Sequence, residues 1–233
     1  MYRPLMLVAA HRGASKAERE NTLAAFTRAR DMGAAMVELD VRRTGDGALI
    51  VHHDAAIAGQ GPIVTLARDA LPAYVPDLAE ALDVCTGMDV NVEIKSDPAE
   101  PDYDAGQWLA HRVVELLLAR PDAVRMLVSS FDFDTIEVVR AAAPALRTGY
   151  LCTRPRPDAP ALIARVAAAG HEALHPFHLA VNRDLVHLAH AAGLTVNTWT
   201  VDDPDRIREL ASWGVDTVIT NVPDVALAAL ARD

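Results

Sequence analysis

The amino-acid sequence predicts an α/β protein in which residues 1–233 form a single domain, a closed (β/α)8 barrel of the TIM-barrel type. Short apolar segments typical of strands alternate with helical patterns along the whole chain, and eight strand–helix units can be counted. Eight such units in roughly 250 residues are what a closed parallel barrel requires. An open, doubly wound sheet is the structural alternative, but no predicted strand leads into a Gly-x-Gly-x-x-Gly helix start.

The eight predicted strands are short apolar runs, several of them rich in the β-branched residues that favour extended backbone. They are LMLVAAHRG (5–13), MVELDV (36–41), DVNVEIK (89–95), RMLVSSF (125–131), RTGYLCT (147–153), HEALHPF (171–177), TVNTWTV (195–201) and DTVITN (216–221). After the second strand, TGDG at 44–47 predicts a turn, and ALIVHHD at 48–54 is the return leg of a hairpin.

The predicted helices alternate with these strands, and glycine or proline marks several of their ends. They are NTLAAFTRARDMG (21–33), PDLAEALDVCTG (76–87), GQWLAHRVVELLLARP (106–121), DTIEVVRAAAP (134–144), APALIARVAAAG (159–170), RDLVHLAHAAG (183–193), PDRIRELASWG (204–214) and VPDVALAALARD (222–233). The proline- and aspartate-rich stretches near 96–105 and 154–160 are predicted to be loops rather than domain boundaries.

Composition and charge exclude several classes of protein. The formal net charge of −10 at pH 7 argues against a nucleic-acid binder and against a protein held on anionic membranes by charge. The apolar run near the N-terminus is too short to span a membrane, so we expect no stable membrane anchor. Cys85 and Cys152 lie far apart without metal-ligand spacing, which is typical of free thiols in a reduced compartment. We therefore expect a cytoplasmic protein, and the sequence leaves its oligomeric state open.

Polar residues concentrate where the predicted strands end, which is the active-site face of a barrel of this kind. In chain order they are His11 and Arg12, Glu38 and Asp40, Glu93 and Lys95, Asn197 and Trp199, and Thr220 and Asn221. Side chains two residues apart on a strand share a face, roughly 6.5 Å from each other. The acids on the second and third strands can therefore point into the barrel mouth together.

Three acids converging at the barrel mouth indicate a metal site. Glu38, Asp40 and Glu93 would repel one another unless positive charge lies between them. Oxygen ligands without cysteine suit a hard divalent cation, Mg²⁺ or Ca²⁺. The alternative is that each acid pairs with an arginine at the rim.

Two histidines at the same face, His11 and His53, are candidates for proton transfer because imidazole titrates near neutral pH. His52 and His53 point to opposite sides of the extended return leg, so at most one of them faces the site easily. Asp54 either orients its histidine neighbour or caps a turn.

Arg12 and Lys95 are candidate phosphate contacts, the arginine through its bidentate fork and the lysine as a point charge. A metal, two histidines and two cations together indicate attack on a phosphate diester. One histidine would take the proton of the nucleophile, and the other would protonate the leaving alkoxide.

The motifs follow one another in an order that is typical of a known family. AHRGASKAERENTLAAFTRARDMGAAMVELDV contains the elements His-Arg-Gly, Glu-Asn-Thr, Ala-Phe and Glu-Leu-Asp-Val. TGDGALIVHHD contains a Thr-x-Asp-Gly turn and a His-Asp motif, and VEIK, SSF, TWTVDD and GVDTVITNVP follow. Over nearly its whole length the chain resembles the glycerophosphodiester phosphodiesterases.

This resemblance implies a (β/α)8 barrel that uses a divalent metal to hydrolyse deacylated glycerophosphodiesters, such as glycerophosphocholine or glycerophosphoethanolamine, to sn-glycerol 3-phosphate and an alcohol. It also implies roles for individual residues, which are as follows: His11 and His53 as the acid/base pair, Arg12 as a phosphate contact, Lys95 beside the phosphate, Glu38, Asp40 and Glu93 as metal ligands, Glu20 and Asn21 as the Glu-Asn-Thr motif, and Trp199 as an aromatic at the substrate pocket. On this interpretation Glu20 lies beside the metal-binding residues or near the metal itself, or else it caps the first helix. Trp199 lines the pocket or only packs at the rim.

Three other functions are open at this point. A phospholipase D-like activity on lysophospholipids or sphingomyelin would use the same metal and histidines, and an exposed apolar rim at the barrel mouth would favour it. A catalytically silent barrel that binds a phosphodiester or a partner would not need both histidines and all three acids. A metal-dependent aldolase or lyase would not explain two rim histidines beside Arg12 and Lys95.

Overall fold

The structure is a computed structural model that describes residues 6–153 and 158–231. Part of the predicted loop, residues 154–157, and the predicted element ends at residues 5, 232 and 233 lie outside the described residues. The strands are β1 Leu7–His11, β2 Met36–Arg43, β3 Leu49–Val51, β4 Ala56–Ile57, β5 Gly61–Pro62, β6 Asp89–Ile94, β7 Met126–Ser130, β8 Arg147–Cys152, β9 Ala173–Pro176, β10 Thr195–Thr198 and β11 Thr217–Thr220. The α-helices are α1 Leu23–Asp31, α2 Leu78–Val84, α3 Trp108–Leu118, α4 Phe133–Ala142, α5 Ala159–Ala168, α6 Arg183–Ala191, α7 Pro204–Trp213 and α8 Pro223–Leu230.

Eight parallel strands close into a barrel, which confirms the predicted fold class. Around the barrel the order is β1, β2, β6, β7, β8, β9, β10 and β11, and β11 pairs with β1 again. The short strand β3 runs antiparallel to β2, with Val41 opposite Val51, so the predicted hairpin is also confirmed. This hairpin extends β2 beyond the barrel wall on the side where the strands end.

Helix ends follow ordinary capping chemistry. The Thr22 side chain accepts a hydrogen bond from the backbone N–H of Ala25 at the start of α1. Glu20 therefore does not cap this helix, and that alternative is wrong. At α7, the Asp203 side chain caps a helix that opens on Pro204, and Gly214 ends it with a φ of 90°.

The apolar core lies between the barrel strands and the surrounding helices. Val37 and Val92 on the strands are fully buried in one cluster with Phe26 of α1 and Leu117 of α3. Burying one such side chain contributes about 1.5–3 kcal/mol relative to leaving it in water. This packing holds the strands in a fixed register, and the register positions the polar residues at their ends.

The barrel interior holds a buried polar pair. His175 Nε2 lies 3.0 Å from Asn197 Nδ2, and burial lowers the pKa of His175 to about 3. A Cβ added at Gly149 would lie only 2.6 Å from His175 Nε2, so the ring occupies the space that a side chain would need.

The prediction that Asn197 lies at the active-site face is wrong, because it pairs with Thr217 at the start of β11 and borders a cavity of about 750 Å³ at the opposite end of the barrel.

No helix within residues 6–153 and 158–231 is both long enough and apolar enough to cross a membrane. Cys85 and Cys152 are free, as predicted, and both are buried. Burial raises the pKa of each thiol to about 12, so both stay protonated at neutral pH.

Candidate active site

Strand register brings the predicted residues together at the end of the barrel where the strands finish. His11, the last residue of β1, is the strand partner of Glu38. Asp40 is the partner of Glu93 on β6, and Lys95 follows that strand directly. Paired strands lie about 4.8 Å apart, so residues from three consecutive barrel strands share one small volume.

Glu38, Asp40 and Glu93 form a buried acidic cluster. One carboxylate oxygen of each lies within 4.8 Å of the others. Burial raises the pKa of Glu38 well above its usual value, and repulsion by Asp40 and Glu93 raises it further. Glu38 Oε1 is buried and has no hydrogen-bond partner among the described residues. Because buried polar atoms normally have one, this oxygen is available to a cation.

Two cations offset the negative charge of the cluster. Lys95 Nζ lies 2.7 Å from Glu93 Oε1 and 3.2 Å from Asp40 Oδ1. Arg12 Nε lies 3.2 Å from Asp40 Oδ2, and the Arg12 backbone N–H donates to Glu38 Oε2 at 3.0 Å. Burial opposes the ionisation of Asp40, but Lys95 and Arg12 outweigh it and hold its pKa well below the ordinary value. Asp40 is therefore a carboxylate at neutral pH.

Asn21 and Glu20 occupy different positions around this cluster. Asn21 is buried, and its Nδ2 donates to Asp40 Oδ2 at 2.7 Å. Its φ of 55° and the φ of 56° at Arg12 are left-handed, a conformation that is costly for residues other than glycine. Glu20 is largely exposed and accepts a hydrogen bond from Arg12 Nη1 at 3.0 Å. Glu20 thus contacts the arginine and not the acidic cluster.

The tautomer of His11 follows from its neighbours. His11 Nδ1 lies 2.7 Å from Asn221 Oδ1, and Asn221 Nδ2 donates to Asp202 Oδ2 at 2.8 Å. The bond to Asp202 assigns the amide nitrogen, so the atom facing His11 is the oxygen, which can only accept. His11 Nδ1 therefore carries the hydrogen and Nε2 is free to accept a proton. Burial and the Arg12 charge lower the pKa of His11, so its ring is neutral at pH 7.

His53 faces the same cavity from the hairpin. Its Nδ1 lies 2.7 Å from Asp54 Oδ1, so Asp54 contacts its histidine neighbour. Burial and the charge of Lys95 lower the pKa of His53. His52 borders a second depression beside Tyr74, which His53 also borders, but only His53 lines the cavity. This agrees with the prediction that at most one of the two histidines faces the site easily.

The cavity between the histidines has a volume of about 200 Å³ and one apolar wall, formed by Phe131, Leu151, Trp199 and Ile219. Trp199 Nε1 donates to the backbone oxygen of His175 at 2.8 Å. The Trp199 ring meets Phe131 edge to face, with ring centroids 5.4 Å apart. Trp199 therefore both packs at the rim and lines the cavity.

Comparison with known proteins identifies the family. The model of the glycerophosphoryl diester phosphodiesterase family matches residues 11–225, which is most of the chain. The chain belongs to this family. It is therefore a phosphoric diester hydrolase, as the resemblance of its motifs implies.

Individual members of the family agree with this assignment. The glycerophosphodiester phosphodiesterase of Caldanaerobacter subterraneus subsp. tengcongensis is 30% identical, covering 95% of this chain and 96% of that protein. A Bacillus subtilis glycerophosphodiester phosphodiesterase is 29% identical, covering 94% and 85%. A phosphodiesterase structure from Oleispira antarctica, solved with the product sn-glycerol-3-phosphate, superposes with a TM-score of 0.87 at 27% identity and covers 97% of both chains. A glycerophosphodiester phosphodiesterase from Thermotoga maritima gives a TM-score of 0.82 at 26% identity, covering 99% and 100%.

The acidic cluster of this phosphodiesterase fits a divalent cation. Its three side chains offer only oxygen atoms, which hard cations such as Mg²⁺ and Ca²⁺ prefer. Glu38 Oε1 is buried without a hydrogen bond in the described part of the chain, and a cation held by the three acids would give this oxygen a partner.

Three residues of the phosphodiesterase site were not given a role from sequence. Asn221 was placed at the correct end of the barrel, but its contact with His11 joins residues 210 positions apart. The sequence pattern gives no role to Asp202 or Phe131, although both lie within the motifs TWTVDD and SSF. Membership of those motifs is the sequence signal that indicates a role for both residues, whereas their contacts depend on how the barrel closes.

Proposed function

We propose that this phosphodiesterase hydrolyses glycerophosphodiesters, such as glycerophosphocholine and glycerophosphoethanolamine, to sn-glycerol 3-phosphate and an alcohol by metal-dependent histidine acid/base chemistry. One observation carries the proposal. His11 and His53 border a single small cavity together with Arg12, Lys95 and two acids of the cluster, Glu38 and Glu93.

His11 is the proposed general base. Its Nδ1 hydrogen is held by the neutral amide oxygen of Asn221, and its Nε2, which lies 3.9 Å from Glu38 Oε2, carries no hydrogen. Its lowered pKa keeps the ring in the form that accepts a proton. The nucleophile that it deprotonates is water or the neighbouring hydroxyl of the substrate.

His53 is the proposed general acid. The Asp54 carboxylate beside its Nδ1 favours the protonated ring, whereas His11 has only a neutral amide at that position. A phosphate diester in the cavity adds a further negative charge, which raises the pKa of His53. The protonated ring then donates to the leaving alcohol oxygen, which is a poor leaving group as an alkoxide.

Arg12 and Lys95 would bind the phosphate. Both lie in the cavity wall, and their positive charges together with that of a bound divalent cation would exceed the charge of the three carboxylates. An anionic substrate would then meet local positive charge in a protein of net charge −10. Glu38, Asp40 and Glu93 would hold the divalent cation, Mg²⁺ or Ca²⁺. When bound, that cation would supply polarisation of the phosphoryl oxygen and neutralisation of charge on it.

The substrate class is supported by the size of the site and by a relative. A cavity of about 200 Å³ suits a small polar molecule. The Oleispira antarctica structure holds sn-glycerol-3-phosphate as product. We also propose that the enzyme acts as a single domain in the cytoplasm, in keeping with its free thiols.

Release of glycerol 3-phosphate from glycerophosphocholine tests the proposal. We expect turnover that EDTA abolishes and that added Mg²⁺ or Ca²⁺ restores. His11→Ala and His53→Ala should remove turnover without unfolding the protein, whereas His187→Ala, on the exposed surface of α6, should not. Turnover in EDTA after exhaustive dialysis, or a folded histidine variant with a near-normal rate, would contradict the mechanism.

A diester with a good leaving group separates the two histidine roles. Bis(p-nitrophenyl) phosphate releases a phenolate that needs little protonation, so His53→Ala should retain a larger share of the wild-type rate on it than on glycerophosphocholine. His11→Ala should lose activity on both. The reverse pattern would exchange the two assignments.

A phospholipase D-like activity on lysophospholipids is the second candidate, because one feature of the barrel mouth favours it. Phe131 lines the cavity and is 40% exposed, and Leu179, just after β9, is 72% exposed. Such side chains can contact an acyl chain. Choline release from lysophosphatidylcholine, without glycerol 3-phosphate release from the water-soluble diester, would favour this candidate.

A further inference from the structure

Arg42 of β2 is a charged side chain that is completely buried. Because positions 38, 40 and 42 alternate along the strand, Arg42 lies on the same strand face as Glu38 and Asp40. It is beyond them, where β2 leaves the barrel wall and pairs with β3. A buried guanidinium is costly unless its hydrogen bonds are satisfied, so the groups that accept those bonds are what keep Arg42 in this position.

Those partners come from two separate segments. Arg42 Nε donates to the backbone oxygen of His53 at 2.8 Å. Arg42 Nη1 donates to Asp102 Oδ2 at 2.6 Å, and Nη2 donates to both carboxylate oxygens of Glu100 at 2.9 and 2.8 Å. The planar, five-donor guanidinium can satisfy all of these acceptors at once, which a lysine ammonium cannot do in the same geometry.

The bond to His53 reaches the main chain and not the imidazole. Asp54 contacts the ring at Nδ1 and sets its rotation, whereas Arg42 sets where the backbone that carries the ring lies. The two carboxylates hold the guanidinium from the other side, and they belong to the loop that follows Glu93 and Lys95. Arg42 thereby joins the segment of His53 to the segment after β6.

We propose that Arg42 is a positioning residue for the reaction: its guanidinium, fixed by Glu100 and Asp102, holds the main chain of His53 so that the imidazole reaches the leaving group. This inference rests on the proposed role of His53. Arg42 does not line the cavity, so its loss should lower kcat and leave substrate binding nearly unchanged. A displacement of about 1 Å at a reacting group costs about 100-fold in rate, and this is the loss we expect in kcat, with KM within about threefold.

The difficulty in testing this role is that Arg42→Met alone leaves two carboxylates facing a missing charge, which destabilises the fold. The triple variant Arg42→Met, Glu100→Gln, Asp102→Asn removes all three charges, and neutral replacements of buried ion pairs are often tolerated. We expect its Tm to lie near that of the wild type while its kcat stays about 100-fold lower. Arg42→Lys keeps the charge and loses the fork, and should also fold with a lowered kcat.

Arg120→Met is the matched control. Arg120 also bonds two aspartates, with Nη1 2.8 Å from Asp83 and Nε 3.0 Å from Asp122, but it follows α3 at the opposite end of the barrel. This variant should lose some stability and keep the wild-type kcat.

The NMR signals of the His53 imidazole nitrogens give a readout that does not depend on turnover. They should shift in the triple variant and stay unchanged in Arg120→Met. A triple variant or an Arg42→Lys variant that is folded, with wild-type kcat and unshifted His53 signals, would overturn the proposal. If the wild type itself releases no product from any diester, the proposed function fails, and the His53 signals alone then decide whether Arg42 positions this residue.

Discussion

Replacement of Asn221 by alanine isolates the contribution of the hydrogen bond that orients His11. In the wild type, Asn221 Oδ1 lies 2.7 Å from His11 Nδ1 and is itself fixed by the bond from Asn221 Nδ2 to Asp202. The alanine variant frees the ring to rotate and no longer specifies which nitrogen carries the hydrogen. Loss of orientation of this kind costs about 100-fold in rate, which corresponds to about 2.7 kcal/mol in the activation free energy.

The assay is the steady-state release of glycerol 3-phosphate from glycerophosphocholine, with kcat and KM determined separately. We expect the loss in kcat, because the proposed base acts on the nucleophile and contributes little to ground-state binding. Ser15→Ala is the matched control, since Ser15 Oγ donates to the same Asn221 oxygen at 2.9 Å but does not touch His11. An Asn221→Ala enzyme with kcat within about threefold of the Ser15→Ala control, in a chain where His11→Ala is inactive, would refute the argument.

Three further predictions concern the metal and the barrel interior. Glu38→Gln should abolish bound Mg²⁺ or Ca²⁺ in elemental analysis. It should also raise the Tm of the metal-free protein, because it removes one of three mutually repelling buried carboxylates. Undiminished metal content would exclude Glu38 as a ligand. Gly149→Ala should lower the free energy of unfolding by about 1–3 kcal/mol, because the new Cβ would lie 2.6 Å from His175 Nε2. This loss corresponds to a Tm decrease of about 2–12 °C. An unchanged Tm would show that the His175 ring can move aside. His175 has a folded-state pKa of about 3, so below pH 6.5 the unfolded state binds a proton that the folded state does not. The free energy of unfolding should therefore fall as the pH drops from about 6.5 toward 3, by up to about 1.4 kcal/mol per pH unit from this group. Urea titrations should show a shallower fall in His175→Gln; equal slopes would contradict the assignment.

Much of the fold and part of the site could be predicted before any contact was known. The alternation of eight strand patterns with eight helical patterns is a local property, because periods of 2 and 3.6 residues can be read along the chain. The placement of His11, Glu38, Asp40 and Glu93 at one end followed from the same reasoning. In a parallel barrel every strand ends at the same face, so a polar residue late in a strand is directed there without knowledge of its neighbours.

The local pattern therefore assigned residues to the active-site face, whereas strand pairing and barrel closure set which of them touch. The bond between His11 and Asn221 depends on β1 closing against β11. The position of Asn197 along the barrel axis depends on where β10 begins relative to β11. Such a stagger between strands does not change the local sequence pattern. The burial of Arg42 required two segments, one in the hairpin and one after β6, to meet over the end of β2. Such contacts arise between residues distant in sequence, and no periodicity encodes them because they are set by strand register and closure of the whole barrel.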